Sequence, residues 1–136
     1  MMVKSAAERL AELNPETEIW WDSSPILYAN WKKKMLDKAA PAVRAQLEEQ
    51  LNRFFNEQDP ASSLVSGVTT NPPLSKQAIE GRPDIWIPWV DQLIKNNPYA
   101  TDEVLFWKTY LEVVRMGSEM IKPIWSASKH QRGYLS

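Results

Sequence analysis

The sequence predicts an α/β fold in which short parallel strands are joined by long helical connections. Two runs with strand-like composition, at positions 18–22 and 64–70, are rich in β-branched and aromatic residues. The segments around them carry apolar residues at helical spacing and are interrupted by Pro, Asn and Gly. Because the connections are far longer than a hairpin turn, we expect the strands to pair in parallel.

The first predicted element is a short helix that precedes the first strand. Ser5, with Glu8 three residues later, forms the capping-box pattern of a helix start. The helix should end before Pro15, because the residue that precedes a proline avoids the helical conformation. The first strand then follows at positions 18–22.

A helical crossover is expected between the two strands. One helix is predicted from Pro25 to Ala39. A second begins at Pro41 and has apolar residues at spacings of four, four and three, namely Val43, Leu47, Leu51 and Phe54. The second strand, 64–70, contains Gly67, which permits a bulge or a close approach by another part of the chain.

Three helical segments are expected after the second strand. The first begins at Pro72 and is broken by Gly81-Arg82-Pro83. A short helix is predicted to start at Pro88 and run through Lys95. The last starts near Thr101 and continues towards Trp125, where Pro123 is expected to kink or end it.

Composition and charge exclude several kinds of partner. The 16 basic and 17 acidic residues leave no positive surplus for a polyanion, and the run Lys32–Lys34 is expected on a solvated helix face. With no cysteine, the sequence has no disulfide or thiolate site, which fits a reducing compartment. It has no signal-like apolar start and no apolar window of membrane-spanning length. We therefore expect a cytoplasmic protein without nucleic acid or membrane partners.

Polar side chains follow both predicted strands. Asp22 ends the first strand, and Thr70 and Asn71 end the second. Ligands bind at the carboxyl ends of parallel strands, so these residues would lie on one functional edge. The alternative is structural: Asp22 would be a turn or cap residue, and Asn71 would belong to an Asn-Pro turn without a ligand.

The segments that contain these residues resemble transaldolases. Gly67-Val68-Thr69-Thr70-Asn71-Pro72-Pro73-Leu74 is similar to the second-strand motif of that family, and Ile19-Trp20-Trp21-Asp22-Ser23 to its first strand with the catalytic aspartate. Near the end of the chain, Ile121-Lys122-Pro123-Ile124-Trp125 and Gly133-Tyr134-Leu135-Ser136 are similar to a helix and the third strand. The resemblance covers nearly the whole chain but only the N-terminal portion of the family's barrel.

The resemblance implies a fold class of its own. It predicts the first three βα units of a (β/α)8 TIM barrel of the class I aldolase type, preceded by an N-terminal helix. A complete barrel needs roughly 250 residues, whereas this chain has 136. We therefore expect a single, partial barrel domain over residues 1–136, with open edges that favour self-association or pairing with the remainder of a barrel.

The resemblance also implies a chemistry. Transaldolases transfer a dihydroxyacetone unit between sugar phosphates through a Schiff base on a lysine, with no metal and no organic cofactor. Asp22 matches the family's catalytic acid/base. Asn71 matches the residue that holds the dihydroxyacetone unit, and Thr69 and Thr70 match the threonines beside it. Pro73 departs from the pattern, because the family commonly has serine there.

Two parts of this chemistry are missing from the sequence. The family's third-strand glutamate and its Schiff-base lysine would lie beyond Ser136, and Lys76, Lys108 and Lys122 are expected on solvated helix faces. His130 is expected in an exposed loop. We therefore predict a transaldolase-like protein of pentose phosphate metabolism that is inactive alone. The alternatives are a non-catalytic sugar-binding or interaction module derived from a transaldolase, and a short aldolase that borrows a lysine from another subunit.

Overall fold

The computed structural model describes residues 2–136, most of which are helical. Its α-helices are α1 (Ala6–Leu13), α2 (Tyr28–Lys38), α3 (Pro41–Phe54), α4 (Pro72–Glu80), α5 (Pro83–Asn96) and α6 (Asp102–Ala127). Its strands are β1 (Trp20–Asp22), β2 (Gly67–Thr69) and β3 (Tyr134–Leu135). Short 3-10 turns lie at Pro25–Leu27 and Pro60–Ser62. Among these helices, none combines the length and the apolar character that crossing a membrane requires.

The predicted fold class is wrong. Residues 2–136 form six α-helices and one sheet of three strands, each of two or three residues. The first three βα units of a (β/α)8 barrel would form full-length strands of its wall, whereas the described residues are mostly helical and no part of a barrel wall is formed. The strand predicted over 64–70 is longer than the strand that forms. Its first residues do not join the sheet, because the N–H groups of Leu64 and Val65 donate to the carbonyls of Arg53 and Phe54 at 3.0 and 3.1 Å. The structure is predominantly helical with a small parallel sheet.

The direction of the strands agrees with the prediction. β1 pairs with β2 in parallel, with Asp22 opposite Thr69, and β2 pairs with β3 in parallel. The pairing continues past the strand ends, where the N–H of Thr70 donates to the carbonyl of Ser136 at 2.7 Å. All three strands therefore end together at what we call the carboxyl edge, formed by Asp22, Thr69–Asn71 and Ser136.

The N-terminal helix confirms the capping-box prediction. The Ser5 hydroxyl accepts from the Glu8 N–H at 3.2 Å, and the Glu8 carboxylate accepts from the Ser5 N–H at 2.6 Å. Glu8 also accepts from Nε of Arg53 at 2.5 Å, which ties α1 to α3. This hydrogen bond is the main reason that the pKa of Glu8 is lowered from 4.5 to about 2.

Two prolines lie inside helices. Pro88 lies inside α5, which begins at Pro83, so the predicted helix start at Pro88 is wrong. Pro83 suits a helix start because the first turn leaves its N–H groups without intrahelical partners. Trp86, only 1% exposed, anchors α5 in the core just before Pro88. Pro123 also lies inside α6 and does not end this helix, which continues to Ala127, whereas the expected kink at Pro123 stays a prediction.

The sheet has two unlike faces, because successive side chains of a strand point to opposite sides. On one side, Trp21 and Val68 pack with Tyr28, Ile121 and Ile124 in the main core. On the other side, Trp20, Asp22 and Tyr134 are exposed. We call these the covered face (Trp21, Val68 and Leu135) and the open face (Trp20, Asp22, Gly67, Thr69 and Tyr134).

Candidate functional site

The carboxyl edge brings Asp22 and Thr69 together on the open face. The two residues lie opposite each other in register, and the Thr69 hydroxyl donates to Oδ1 of Asp22 at 2.8 Å. Asp22 is exposed and forms no ion pair within the part of the chain that the structure describes. It is not a helix cap either. Its carboxylate is oriented by Thr69 and still has Oδ2 available to accept a hydrogen bond or a proton.

Asn71 is placed at the start of α4 and has a structural role there. Pro72 and Pro73 occupy the first two helical positions, where a missing N–H costs nothing. The next N–H, of Leu74, donates to Oδ1 of Asn71 at 2.9 Å. Asn71 is therefore the N-cap of α4, a structural role that differs from the Asn-Pro turn of the alternative interpretation. Its amide Nδ2 makes no hydrogen bond within residues 2–136 and can donate to a ligand.

Thr70 is not brought together with the other site residues. Strand alternation directs its side chain away from the face that carries Asp22 and Thr69. Its Oγ1 is buried and has no hydrogen-bond partner among the described residues. A buried hydroxyl without a partner costs about 1–3 kcal/mol, but nothing in its position directs it towards a ligand on the open face.

Trp20 is a residue of the open face that the motif comparison missed. Its ring lies on Gly67, so close that a Cβ at position 67 would be 2.6 Å from a ring atom. Its indole Nε1 donates to the Glu18 carboxylate at 2.8 Å. Tyr134, opposite Gly67 in register, is 46% exposed. The sequence does contain a signal for Trp20: side chains alternate between the two faces of a strand, so residues 20 and 22 lie on the same face.

No lysine lies on a strand within the described range. Lys76 on α4 and Lys122 on α6 each pair with a glutamate of their own helix, at 3.6 and 3.8 Å. Lys108 is exposed on α6. His130 is exposed, as predicted, and its ring stacks on Trp125 at 3.6 Å between centroids. The carboxyl edge therefore offers a carboxylate and an amide donor from this chain, but no amine nucleophile.

Neither comparison with known proteins nor a search for metal-binding side chains assigns a function to this site. No family model matches the chain, and no curated protein and no solved structure matches it either. Among residues 2–136, no group of three or more His, Cys, Asp or Glu side chains is arranged to hold a metal ion. The resemblance to transaldolases therefore rests on the motifs alone and stays a hypothesis.

Proposed function

We propose that the carboxyl edge binds sugar phosphates in the manner of a transaldolase. Asp22 is the proton acceptor, and Asn71 holds the dihydroxyacetone unit through its amide. The observation that carries this proposal is the hydrogen bond from Thr69 to Oδ1 of Asp22 at 2.8 Å. A general base must be positioned at the proton that it takes, and this bond fixes the carboxylate while Oδ2 stays free. The proposal requires no barrel.

In the proposed reaction, Asp22 takes the proton from the sugar hydroxyl next to the carbon–carbon bond that breaks. With a lysine supplied from outside this chain, the electron pair of that bond would move into the Schiff base on that lysine and convert it to an enamine. Because this chain places no lysine at its carboxyl edge, we propose that it binds and orients a sugar phosphate but does not turn it over alone. A cytoplasmic location belongs to the same proposal and is supported by the cysteine-free sequence.

The second candidate function is a sugar-binding module without catalysis. The capping role of Asn71 favours it, because one end of the amide stabilises α4 while the other can still hold a ligand hydroxyl. A third candidate is an aldolase completed by a lysine from another subunit. The three candidates share the binding step and differ in whether a covalent intermediate can form.

Calorimetric titration with fructose 6-phosphate tests the binding step. Asn71→Asp keeps a good helix cap, since Asn and Asp cap comparably, but removes the amide donor. We expect Asn71→Asp to weaken fructose 6-phosphate binding at least fivefold without lowering the unfolding temperature. The control is Asn96→Asp, the same change at an exposed position of α5, which should leave fructose 6-phosphate binding unchanged. Unchanged binding in Asn71→Asp, or no binding by the unaltered protein, would refute the proposed site.

Borohydride reduction with fructose 6-phosphate tests the missing nucleophile. We expect no dihydroxyacetone adduct on the intact chain by mass spectrometry. Stoichiometric trapping on Lys76, Lys108 or Lys122 would contradict the proposal that the chain is inactive alone. Trapping that appears only at concentrations where the chain self-associates would favour a lysine supplied by another subunit.

A further inference from the structure

A groove of about 840 Å³ lies between α4 and α6. This volume is within the range of about 300–1,000 Å³ that is typical of small-molecule sites. Its walls are mainly apolar and aromatic, with contributions from Pro73, Ile79, Val90, Leu105, Phe106 and Tyr110. The rings of Phe106 and Tyr110 are nearly parallel, at 13°, with centroids 6.2 Å apart. They form a flat aromatic wall on one side of the groove.

One buried polar group in the groove wall has no partner. Ser75 is 1% exposed, and its hydroxyl makes no hydrogen bond with the described residues. Helical hydroxyls usually donate to the carbonyl four residues earlier, and here Thr109 and Ser118 both do so, each at 2.8 Å. Ser75 does not. Buried hydroxyls are nearly always paired. Ser75, unlike the unpaired Thr70, lines the groove, so a ligand in the groove could supply its partner.

The charges of the groove disfavour an anion. Lys76 and Glu80 pair with each other at 3.6 Å and so neutralise one another. Asp102, also in the lining, forms no ion pair within residues 2–136 and leaves one negative charge. A phosphate would be repelled by it. The groove is therefore unsuited to the sugar phosphates proposed for the carboxyl edge.

We propose that the groove binds a small, uncharged organic molecule with a flat apolar body and an oxygen that accepts from Ser75. The flat body would cover the ring of Phe106, which is 52% exposed, and remove its apolar surface from water. The acceptor oxygen would supply the hydrogen bond that Ser75 lacks. This site is independent of the proposed sugar phosphate site.

Fluorescence titration with Nile red, an uncharged planar dye with a carbonyl oxygen, tests this proposal. Two exposed aromatic residues provide the comparison: Phe106 lines the groove and is 52% exposed, whereas Tyr99 is 98% exposed and is not part of the lining. We expect Phe106→Ala to weaken dye binding at least tenfold and Tyr99→Ala to change it less than twofold.

A second variant tests the role of the hydroxyl. Ser75→Ala should raise the unfolding temperature of the free protein, because it removes an unpaired buried group, and should weaken Nile red binding about fivefold. Fructose 6-phosphate should not displace the dye, so failure of this site and failure of the carboxyl-edge site can be told apart.

Four results would overturn the proposal. They are equal effects of Phe106→Ala and Tyr99→Ala, unchanged dye binding in Ser75→Ala, binding of the anion 1-anilinonaphthalene-8-sulfonate as tight as that of Nile red, and dye release when the chain dimerises. The last result would make a second copy of the chain the occupant. Sedimentation at each titration concentration distinguishes it from the others.

Discussion

The covered and open faces of the sheet share three strands but differ in chemistry. On the covered face, Trp21 packs against Tyr28 and Trp31, with ring centroids 5.4 Å away in both cases. On the open face, the next residue back, Trp20, is 38% exposed, and Asp22 and Thr69 meet at the carboxyl edge. One face fixes the backbone through apolar burial, which leaves the polar groups of the other face available for a ligand.

Replacing the two adjacent tryptophans should give the largest contrast between the faces. Trp21→Ala removes a side chain from the core and should lower the free energy of unfolding by about 3 kcal/mol. Trp20→Ala should cost about 1 kcal/mol, as an average substitution does. Urea denaturation of both variants measures the difference. Equal losses would mean that the open face is packed as tightly as the covered face.

Acid should weaken the contact between α1 and α3. The pKa of Glu8 is lowered from 4.5 to about 2, chiefly by its hydrogen bond from Arg53. The folded state therefore holds this carboxylate ionised, and the stability it contributes, full above about pH 4.5, is lost as the pH falls towards 2. A charged hydrogen bond of this kind is worth about 2 kcal/mol.

The matched variants for this prediction are Glu8→Gln and Glu48→Gln. Glu48 is exposed on α3 and has no ion pair in the described range. Glu8→Gln should lower stability at pH 7 and flatten its pH dependence between 4.5 and 2, whereas Glu48→Gln should do neither. Chemical denaturation across this pH range gives both quantities. An unaltered acid dependence in Glu8→Gln would place the sensitive group elsewhere.

A smaller effect is expected where Trp20 covers Gly67. An added Cβ at position 67 would lie 2.6 Å from the ring, so Gly67→Ala must displace Trp20 and should cost about 1 kcal/mol. In a Trp20→Ala background, Gly67→Ala should hardly change the free energy of unfolding, because the ring that the added Cβ would meet is absent. The double-mutant cycle measures this coupling. Additive losses would show that the two residues do not interact.

The sequence predicts local features of the fold better than its global form. The capping box at Ser5 and the helix start after Asn71 follow from chemistry within a few residues, and both are present. The predicted barrel is wrong, because sheet size depends on distant partners: the N–H groups of Leu64 and Val65 are bound by the end of α3 and not by a strand. Strand composition alone cannot reveal that competition.

The candidate site follows the same pattern. The meeting of Asp22 with Thr69 was predictable, because parallel strands end at a common edge. The strand end and the motif both predict Thr70 beside them, although alternation turns its side chain to the other side of the sheet. The contact of Trp20 with Gly67 could not be predicted in detail, because it depends on the register of two strands that are far apart in sequence.

Amide-resolved NMR titration with fructose 6-phosphate tests most directly whether the open face carries the binding site. We predict chemical shift changes at the backbone amide of Thr69, the side-chain amide of Asn71 and the indole N–H of Trp20, and none at Ser75 or Phe106 in the groove between α4 and α6. In Asn71→Asp the changes at Thr69 and Trp20 should require at least fivefold more ligand. Changes centred on that groove, or none at the carboxyl edge at saturating ligand, would contradict the account.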